Sequence, residues 1–461
     1  MLTVAYLANQ FPAAVEPYVG EEIQELRRCG VKVIPGSVRK PGASLQGSAG
    51  VDPVAEILCL QPLRVLILLR ALALAMWRWK RIAPLLKRVL LRGKESPRRR
   101  MKALLHTWLG AYYAALLRKR GVDHIRVHHG YFGSWIAMVA ARLLGIDFSL
   151  TLHGSDLLID GAYLDTKLEN CQFCITISDY NRRYILERFP EIDPKKIIVS
   201  RLGVDDVASA ESAVRIRKSE CRPLTLLAVG RLHAVKDHAF LVHACARLRE
   251  SGLDFRCLVA GEGPERRRLE SLICKNQLEE RITLLGHVDR SQMAALYERA
   301  DAVVLTSRSE GIPLVLMEAM IRGRLVLAPA ITGIPEIVIP GKTGFLYTPR
   351  ALEDFVARVL FIDLQMRSED RCAVSRLDWL RHAARLQVLH NFNRRKTLTH
   401  FGERFLQLVA GSDFASQNSA IHDSAPENLA SQGFATQDFA THDSATEDWS
   451  PPHEDTVLQQ I

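Results

Sequence analysis

"ADAVVLTSRSEGIPLVLMEAMIRGRLVLAP", residues 300–329, is the stretch on which the fold turns. "ADAVVLTS" is a short valine-rich apolar run ending in polar residues, the pattern of a buried strand. Pro313 suits the first position of a helix, where its missing N–H has no partner to lose. Gly323 suits the residue just past the helix end, and "LVLAP" reads as the next strand. The stretch is therefore a strand, a tight loop, a short helix and a second strand. Glu310 falls in the loop and Glu318 on the helix, eight positions apart. At 1.5 Å rise that separation spans about 12 Å, whereas paired glycosidase carboxylates sit about 5–9.5 Å apart. An acid/base pair is disfavoured. Between the two glutamates lies a helix N-terminus, whose free N–H groups attract anions. The arrangement suits a long, partly anionic ligand held at three points. Taken alone, a loop glutamate and a satisfied helix glutamate would explain the stretch as well.

Working outward, the strands "LTLLAVG", "FRCLVAG" and "ITLLG" are continuous apolar runs separated by the helical stretches "AFLVHACARLRESG", "PERRRLESLICKN" and "SQMAALYERA". Apolar runs without alternation mark a parallel sheet covered on both faces. An earlier series, "TVAYLAN", "VGEEIQELRRCG", "VKVIPGSV", then "HIRVHH", "GSWIAMVAARLLG", "FSLTLHG", "CQFCITIS" and "KKIIVSRLG", repeats the plan around a mostly helical block from 61 to 120. The fold expected is α/β, with two Rossmann-like, doubly wound domains: 1–207, a polar linker at 208–223, and 224–375. Residues 376–411 read as helices packing back towards the first domain. The Ser/Ala/Thr-rich acidic text at 412–461, with "FASQ", "LASQ", "FATQ" and "FATH", reads as a disordered tail.

The 461 residues, 48% hydrophobic, suffice for two such cores. Nine cysteines without a framework spacing fit a reducing compartment. Cys171 and Cys174 form a C-x-x-C in a strand-like setting and read as core thiols. "MLTVAYLAN" has no basic region before its apolar run, so it reads as a first strand rather than a signal peptide, and a cytoplasmic location is expected. The net charge of +10 is unevenly placed: residues 61–102 carry thirteen Lys and Arg against one acid, Glu95, and the tail carries nine acids and no Lys or Arg. The basic block fits an RNA patch, a solvated helical face or a membrane-docking face. Its apolar part, "PLRVLILLRALALAMWRWKR" with arginines at 64 and 70, is too short and too charged to span a bilayer. Basic residues beside Leu, Trp77 and Trp79 suit the interface of an anionic membrane, and no nucleic acid is expected as a partner.

Three strand ends in the second series carry chemistry. After "LTLLAV" come Gly230, read as letting the backbone turn, Arg231, and five residues later Lys236. A guanidinium and an ammonium at a strand exit suit a diphosphate. After "ITLL" comes "GHVDR", where His287 and Val288 could lie on a base. After "ADAVVL" come Glu310, Gly311 and the helix N-terminus. Together, at the carboxyl ends of one parallel sheet, they describe a nucleotide-diphosphate site with a carboxylate for hydroxyls at each end.

The lines "LLAVGRLHAVKD", "CLVAGEGPERRRLE", "ITLLGHVDRSQMAALYERADAVVLTSRSEGIPLVLMEAM" and "TGIPEIVIPGKTGFLY" resemble the family four glycosyltransferases, retaining enzymes of the GT-B fold whose two domains face across a cleft. Weaker likeness, through "LTLHGSDLL", covers residues 1–410, and the N-terminal lines look most like the exopolysaccharide and colanic-acid-type enzymes. The resemblance implies roles. Arg231 and Lys236 match the pair that neutralises the donor diphosphate. Glu310 matches the contact to the donor sugar, and Glu318 the acceptor of the ribose hydroxyls. Gly311 and Ile312 would present backbone N–H groups, and His153 matches the N-domain histidine facing the donor sugar. The first loop, "NQFPAAVEPY", departs from the pattern by lacking the paired glycines many members have near the phosphates. What is implied is transfer of a sugar from a UDP- or GDP-linked donor to a glycan acceptor, lipid-linked in exopolysaccharide synthesis, without a metal or cofactor.

Rival readings leave marks that are missing. A nicotinamide oxidoreductase needs G-x-G-x-x-G after a first strand, and "AGEGPER" stops at two glycines. "GKTG" at 341–344 suggests a P-loop, but Glu336 occupies the required first glycine. A sugar-nucleotide 2-epimerase of the same fold and a non-catalytic membrane-associated scaffold stay open.

Overall fold

Valine-, leucine- and isoleucine-rich runs become the central strands of two parallel sheets in a computed structural model that describes residues 1–12, 16–39, 57–92, 95–158, 161–207 and 222–411. The expected tail and all but the last two residues of the expected linker lie outside them.

The first lobe begins with β1 (Thr3–Gln10), α1 (Pro17–Arg28), β2 (Lys32–Arg39) and β3 (Leu58–Cys59). Three helices follow, α2 (Val65–Trp77), α3 (Trp79–Leu91) and α4 (Pro97–Leu117). The lobe continues with β4 (His124–His128), α5 (Phe132–Leu144), β5 (Asp147–Leu152), α6 (Ser155–Leu158), α7 (Leu164–Asn170), β6 (Phe173–Thr176), α8 (Asp179–Arg188) and β7 (Ile197–Val199). Its strand order is β3-β2-β1-β4-β5-β6-β7, every pairing parallel. The central helix α5 is apolar on all sides and buried along most of its length, as a helix sandwiched between a sheet and other helices must be. Gly110 of α4 lets the two helices close up, since a Cβ there would lie 2.6 Å from the Val139 Cβ. The buried Trp135 donates its indole N–H to Thr107 Oγ1 at 3.0 Å. Cys171 and Cys174 are buried and free.

The second lobe holds β8 (Leu224–Val229), α9 (His238–Glu250), β9 (Phe255–Ala260), α10 (Arg266–Lys275), β10 (Ile282–Gly286), α11 (Arg290–Arg299), β11 (Ala302–Val304), α12 (Leu314–Ile321), β12 (Leu325–Pro329), β13 (Phe345–Tyr347) and α13 (Leu352–Arg367). Its order is β10-β9-β8-β11-β12-β13, again all parallel. Local sequence sets the helix ends: Asp289 and Gln292 form a reciprocal capping box on α11. The helix of the opening stretch starts one residue later than expected. Pro313 is its N-cap residue, with φ −77° and ψ 109°, because the chain is still extended as it leaves the loop. Gly323, at φ 64°, lies just past the end as expected.

Two last helices join the lobes. In α14 (Arg371–Asn391), Ala384 and Val388 pack with Leu316 and Met320 of the second lobe. In α15 (Arg394–Ala410), Phe401 and Phe405 pack with Val4, Tyr6 and Ile23 of the first. Between them the chain crosses beside the outgoing segment: Val204 N–H donates to Phe392 O at 2.9 Å, and Arg394 N–H donates to Val204 O at 3.0 Å. Strand order reverses between β1 and β4 in one sheet and between β8 and β11 in the other. Those switch points are where doubly wound sheets open a crevice.

Candidate functional site

Of the three charged groups expected at the second switch point, Lys236 and Glu310 touch. Lys236, after β8, places its Nζ 2.5 Å from Glu310 Oε1, after β11, with both side chains largely buried. The two loops are laced together: Thr306 Oγ1 donates to Lys236 O at 3.0 Å, and Arg308 N–H donates to Val235 O at 2.8 Å. Asp237 holds a left-handed conformation at φ 49° and accepts from Arg308 Nε at 2.6 Å, which fixes the turn that aims Lys236. Arg231 is exposed and donates from its side chain to no described residue. An ammonium paired with a carboxylate, beside a guanidinium that is free to swing, suits a dianion. A bound diphosphate would draw Lys236 away and leave the Glu310 carboxylate open to hydroxyls.

The glycine requirement lies elsewhere than expected. A Cβ at Gly230 would meet only the Lys236 side chain, at 3.5 Å, and its backbone is not left-handed. A Cβ at Gly261 would fall 1.9 Å from Gly230 O, and one at Gly263 would fall 2.4 Å from Leu232 O. The two glycines of "AGEGPER" therefore let β9 close onto the loop that carries Arg231.

Glu318 lies on α12 and accepts a hydrogen bond from the buried Tyr297 hydroxyl at 2.7 Å. Burial and the Glu318 charge push the Tyr297 phenol well up, so it stays a donor. His287, exposed, and Val288, half-buried, follow β10 at the sheet edge. Neither the Gly311 nor the Ile312 N–H donates to a described residue.

The first lobe contributes a cluster the sequence reading found only in part. The His153 ring lies against Tyr18 and His129, both at 4.6 Å between ring centroids, and its Nε2 shares a hydrogen bond with His128 Nδ1 at 2.9 Å. The loop beneath is built on Asp156, fully buried, which accepts from the N–H groups of Gly130 at 2.8 Å, His153 at 3.0 Å and Gly154 at 2.8 Å. His129, left-handed at φ 67°, places Nε2 3.1 Å from Glu16 and Nδ1 3.6 Å from Asp156. A non-glycine residue in that conformation is strained, a feature that gathers at functional sites. Burial opposes its charge, but the neighbouring carboxylates of Asp156 and Glu16 lift the His129 imidazole to about 9. Burial and the neighbouring His129 charge hold His153 well below its ordinary value. These shifts favour a cationic His129 beside a neutral His153. The sequence signal for the missed group was thin: two adjacent histidines in "HIRVHHG", and Asp156 three residues past His153.

The two lobes meet here. A Cβ on Gly311 would fall 1.9 Å from His153 O, one on Gly154 would fall 3.0 Å from Gly311 N, and one on Gly333 would fall 2.3 Å from Gly311 O. Glycines from three loops let the His153 loop, the Glu310 loop and the start of "GIPEIVIPG" stack backbone on backbone.

The groups facing His129 are Glu16, Tyr18, His128, Tyr131, His153 and Asp156. Its folded pKa is raised above the unfolded value of about 6.5, so its stabilisation is complete below that pH and is lost as pH rises through about 9. The contribution at stake is on the order of 3 kcal/mol. The thermal unfolding midpoint is expected to fall between pH 6.5 and 9.5, and to fall less in His129→Gln. Parallel pH profiles for the two proteins would remove His129 from this role.

Comparison with known proteins agrees with the architecture. Residues 15–207 match the family model described as Glycosyltransferase Family 4, and residues 212–372 match that described as Glycosyl transferases group 1. The chain is 37% identical over 172 residues to a putative colanic acid biosynthesis glycosyltransferase of Salmonella typhimurium, covering 36% of this chain and 42% of that protein. It is 30% identical over 158 residues to an amylovoran biosynthesis glycosyltransferase of Erwinia amylovora, covering 33% of this chain and 38% of that protein. The matched stretches thus span less than half the length of these relatives. Among solved structures, Anabaena HepE in complex with UDP and glucose superposes with a TM-score of 0.62 at 18% identity, covering 88% of this chain and 99% of that one. Sucrose-phosphate synthase of Thermosynechococcus elongatus gives 0.66 at 19% identity, covering 89% and 100%. At such identities the likeness is one of fold.

Proposed function

The chain belongs to the family four glycosyltransferases of the GT-B fold, and from that premise we propose that it transfers a sugar from a nucleoside-diphosphate donor to a glycan acceptor in the making of a cell-surface polysaccharide. The observation that carries the reading is the Lys236–Glu310 pair at the switch point of the second sheet, with Arg231 free beside it. The diphosphate sits between Arg231 and Lys236, with the unengaged N–H groups of Gly311 and Ile312 completing the cradle. Glu310 holds the donor sugar hydroxyls, and Glu318, fixed by Tyr297, accepts from the ribose. His287 and Val288 flank the base. His153, neutral, faces the donor sugar from the opposite lobe and can donate or accept a hydrogen bond without adding charge.

Transfer then proceeds with retention. Negative charge builds on the departing diphosphate and is met by the guanidinium and the ammonium. The acceptor hydroxyl attacks from the face the nucleotide leaves, its proton passing to a phosphate oxygen, so no protein base is required. The acceptor is lipid-linked, which brings the first lobe to the cytoplasmic face of a membrane. Relatives named for colanic acid and amylovoran biosynthesis support the polysaccharide part of this reading.

The site reading is tested by separating the glutamates. Glu310→Gln should lower turnover and broaden sugar selection while leaving nucleoside-diphosphate affinity within about threefold. Glu318→Gln should weaken the nucleotide itself about 10- to 150-fold, the worth of one charged hydrogen bond. Calorimetry with donor and with sugar-free nucleotide distinguishes them. Equal losses on both ligands from both variants would refute the division of labour. A 2-epimerase would instead release nucleotide with no acceptor product.

A further inference from the structure

The outer faces of α2, α3 and α4 carry an apolar surface that nothing among the described residues covers. Leu66, Leu69 and Trp77 on α2, Trp79 on α3, and Leu105 and Trp108 on α4 are each more than half exposed. The inner faces explain why these are helices at all: Ala71 and Leu74, Ile82 and Leu85, and Ala103 and Ala111 are buried in the first lobe's core. Apolar residues on both faces mean that the outer face has a second, apolar neighbour.

We propose that this neighbour is the headgroup and upper acyl layer of an anionic lipid bilayer, into which the outer faces of α2–α4 insert. The inference rests on the proposed lipid-linked acceptor for its purpose but not for its test. Charge selects the occupant. The block from 61 to 102 has thirteen basic residues and one acid, Glu95, and Glu95 is already neutralised by Arg88 at 3.0 Å. Arg70, Lys80, Lys87 and Arg98 are exposed and donate to no described residue. A second copy of the chain would set these like charges against each other, whereas an anionic surface would attract each of them. No helix among the described residues is long and apolar enough to cross a membrane, so the contact is lateral. The face also leads to the cleft. His106 of α4 stacks on Phe132 at 4.6 Å, and the adjoining Tyr131 stacks on His129 at 5.8 Å, which places the His153 loop next to the inserted surface.

The structure also shows which basic residues cannot be used as probes. Arg78 donates to the carbonyls of Leu143 and Leu144, and Arg81 donates to Arg142 O at 3.1 Å. Both close the C-terminal end of α5, so reversing them would damage the fold.

The test is cosedimentation of the full chain with phosphatidylcholine vesicles, with and without phosphatidylglycerol, in the absence of donor and acceptor. Wild type should bind the anionic vesicles, with a part of the binding surviving high salt. Arg70→Glu/Lys80→Glu/Lys87→Glu/Arg98→Glu should lower partitioning at low salt at least about 10²-fold, since each basic residue near such a surface contributes about fivefold. Leu66→Ser/Leu69→Ser/Trp108→Ser should lose the salt-resistant part. All the substituted side chains are exposed, so circular dichroism and donor binding should be unchanged in both variants. Wild type that ignores anionic vesicles at low salt overturns the proposal, as does a stable dimer abolished by the serine substitutions. Donor binding is read separately, so a failure here leaves the transferase reading standing, and the reverse also holds.

Discussion

Arg231→Ala and Lys236→Ala are each expected to lower turnover about 10²–10³-fold, the usual cost of removing one group that meets developing charge. The two should differ in their side effects. Arg231 is exposed and has no described side-chain partner, so its loss should leave the unfolding midpoint unchanged. Lys236 neutralises Glu310 at 2.5 Å in a largely buried setting, so its removal strands a carboxylate and should lower stability as well. The double variant should fall short of the product of the single effects, because both residues act as a unit on one diphosphate and losing either already forfeits part of the other's contribution. Steady-state kinetics with a chosen donor, beside thermal melts, reads all of this. Near-normal transfer by the double variant would remove the site from the mechanism.

Gly311→Ala should act through geometry alone. The new Cβ would lie 1.9 Å from His153 O and 2.7 Å from Ile177 Cδ1. The first is a backbone atom, fixed by the Asp156 hydrogen bonds to the N–H groups of His153 and Gly154, so it cannot swing aside. The Glu310–Gly311 loop must retreat or the lobes must part. A displacement of about 1 Å at reacting groups costs about 10²-fold, and that is the loss of turnover expected. Both sheets keep their cores, so the unfolding midpoint should drop only a few degrees. Gly133→Ala is the control: it lies on α5 with open space around its Cβ, and it should change neither quantity. Full activity in Gly311→Ala would mean that the two loops do not meet in the working enzyme.

The elements of the second lobe were legible because parallel strands buried on both faces leave unbroken apolar runs, and because Gly323 and the Asp289–Gln292 pair mark helix ends locally. Arg231, Lys236 and Glu310 were found because each sits just past such a run, at the carboxyl ends of β8 and β11. What brings Lys236 and Glu310 into contact is strand order, and that depends on which runs become neighbours. The His129–Asp156–Glu16 group was not legible for a similar reason. Its members come from the residue after β4, from α6 and from the segment before α1, and a left-handed conformation at a histidine is too uncommon to be read from the residue alone. Gly230 shows the opposite error: a glycine in the right place was credited with a turn, while the steric need belonged to Gly261 and Gly263.

Arg231, Lys236 and Glu310 are proposed to hold a nucleoside-diphosphate sugar for retaining transfer. The most direct measurement is a panel of UDP- and GDP-sugars assayed for nucleotide release by wild type and by the Arg231→Ala/Lys236→Ala variant, with the product's anomeric configuration read by NMR. Release from at least one donor, its loss in the double variant, and a glycoside with the donor's own configuration are expected. An inverted product, or release that the double variant sustains, would contradict the proposal.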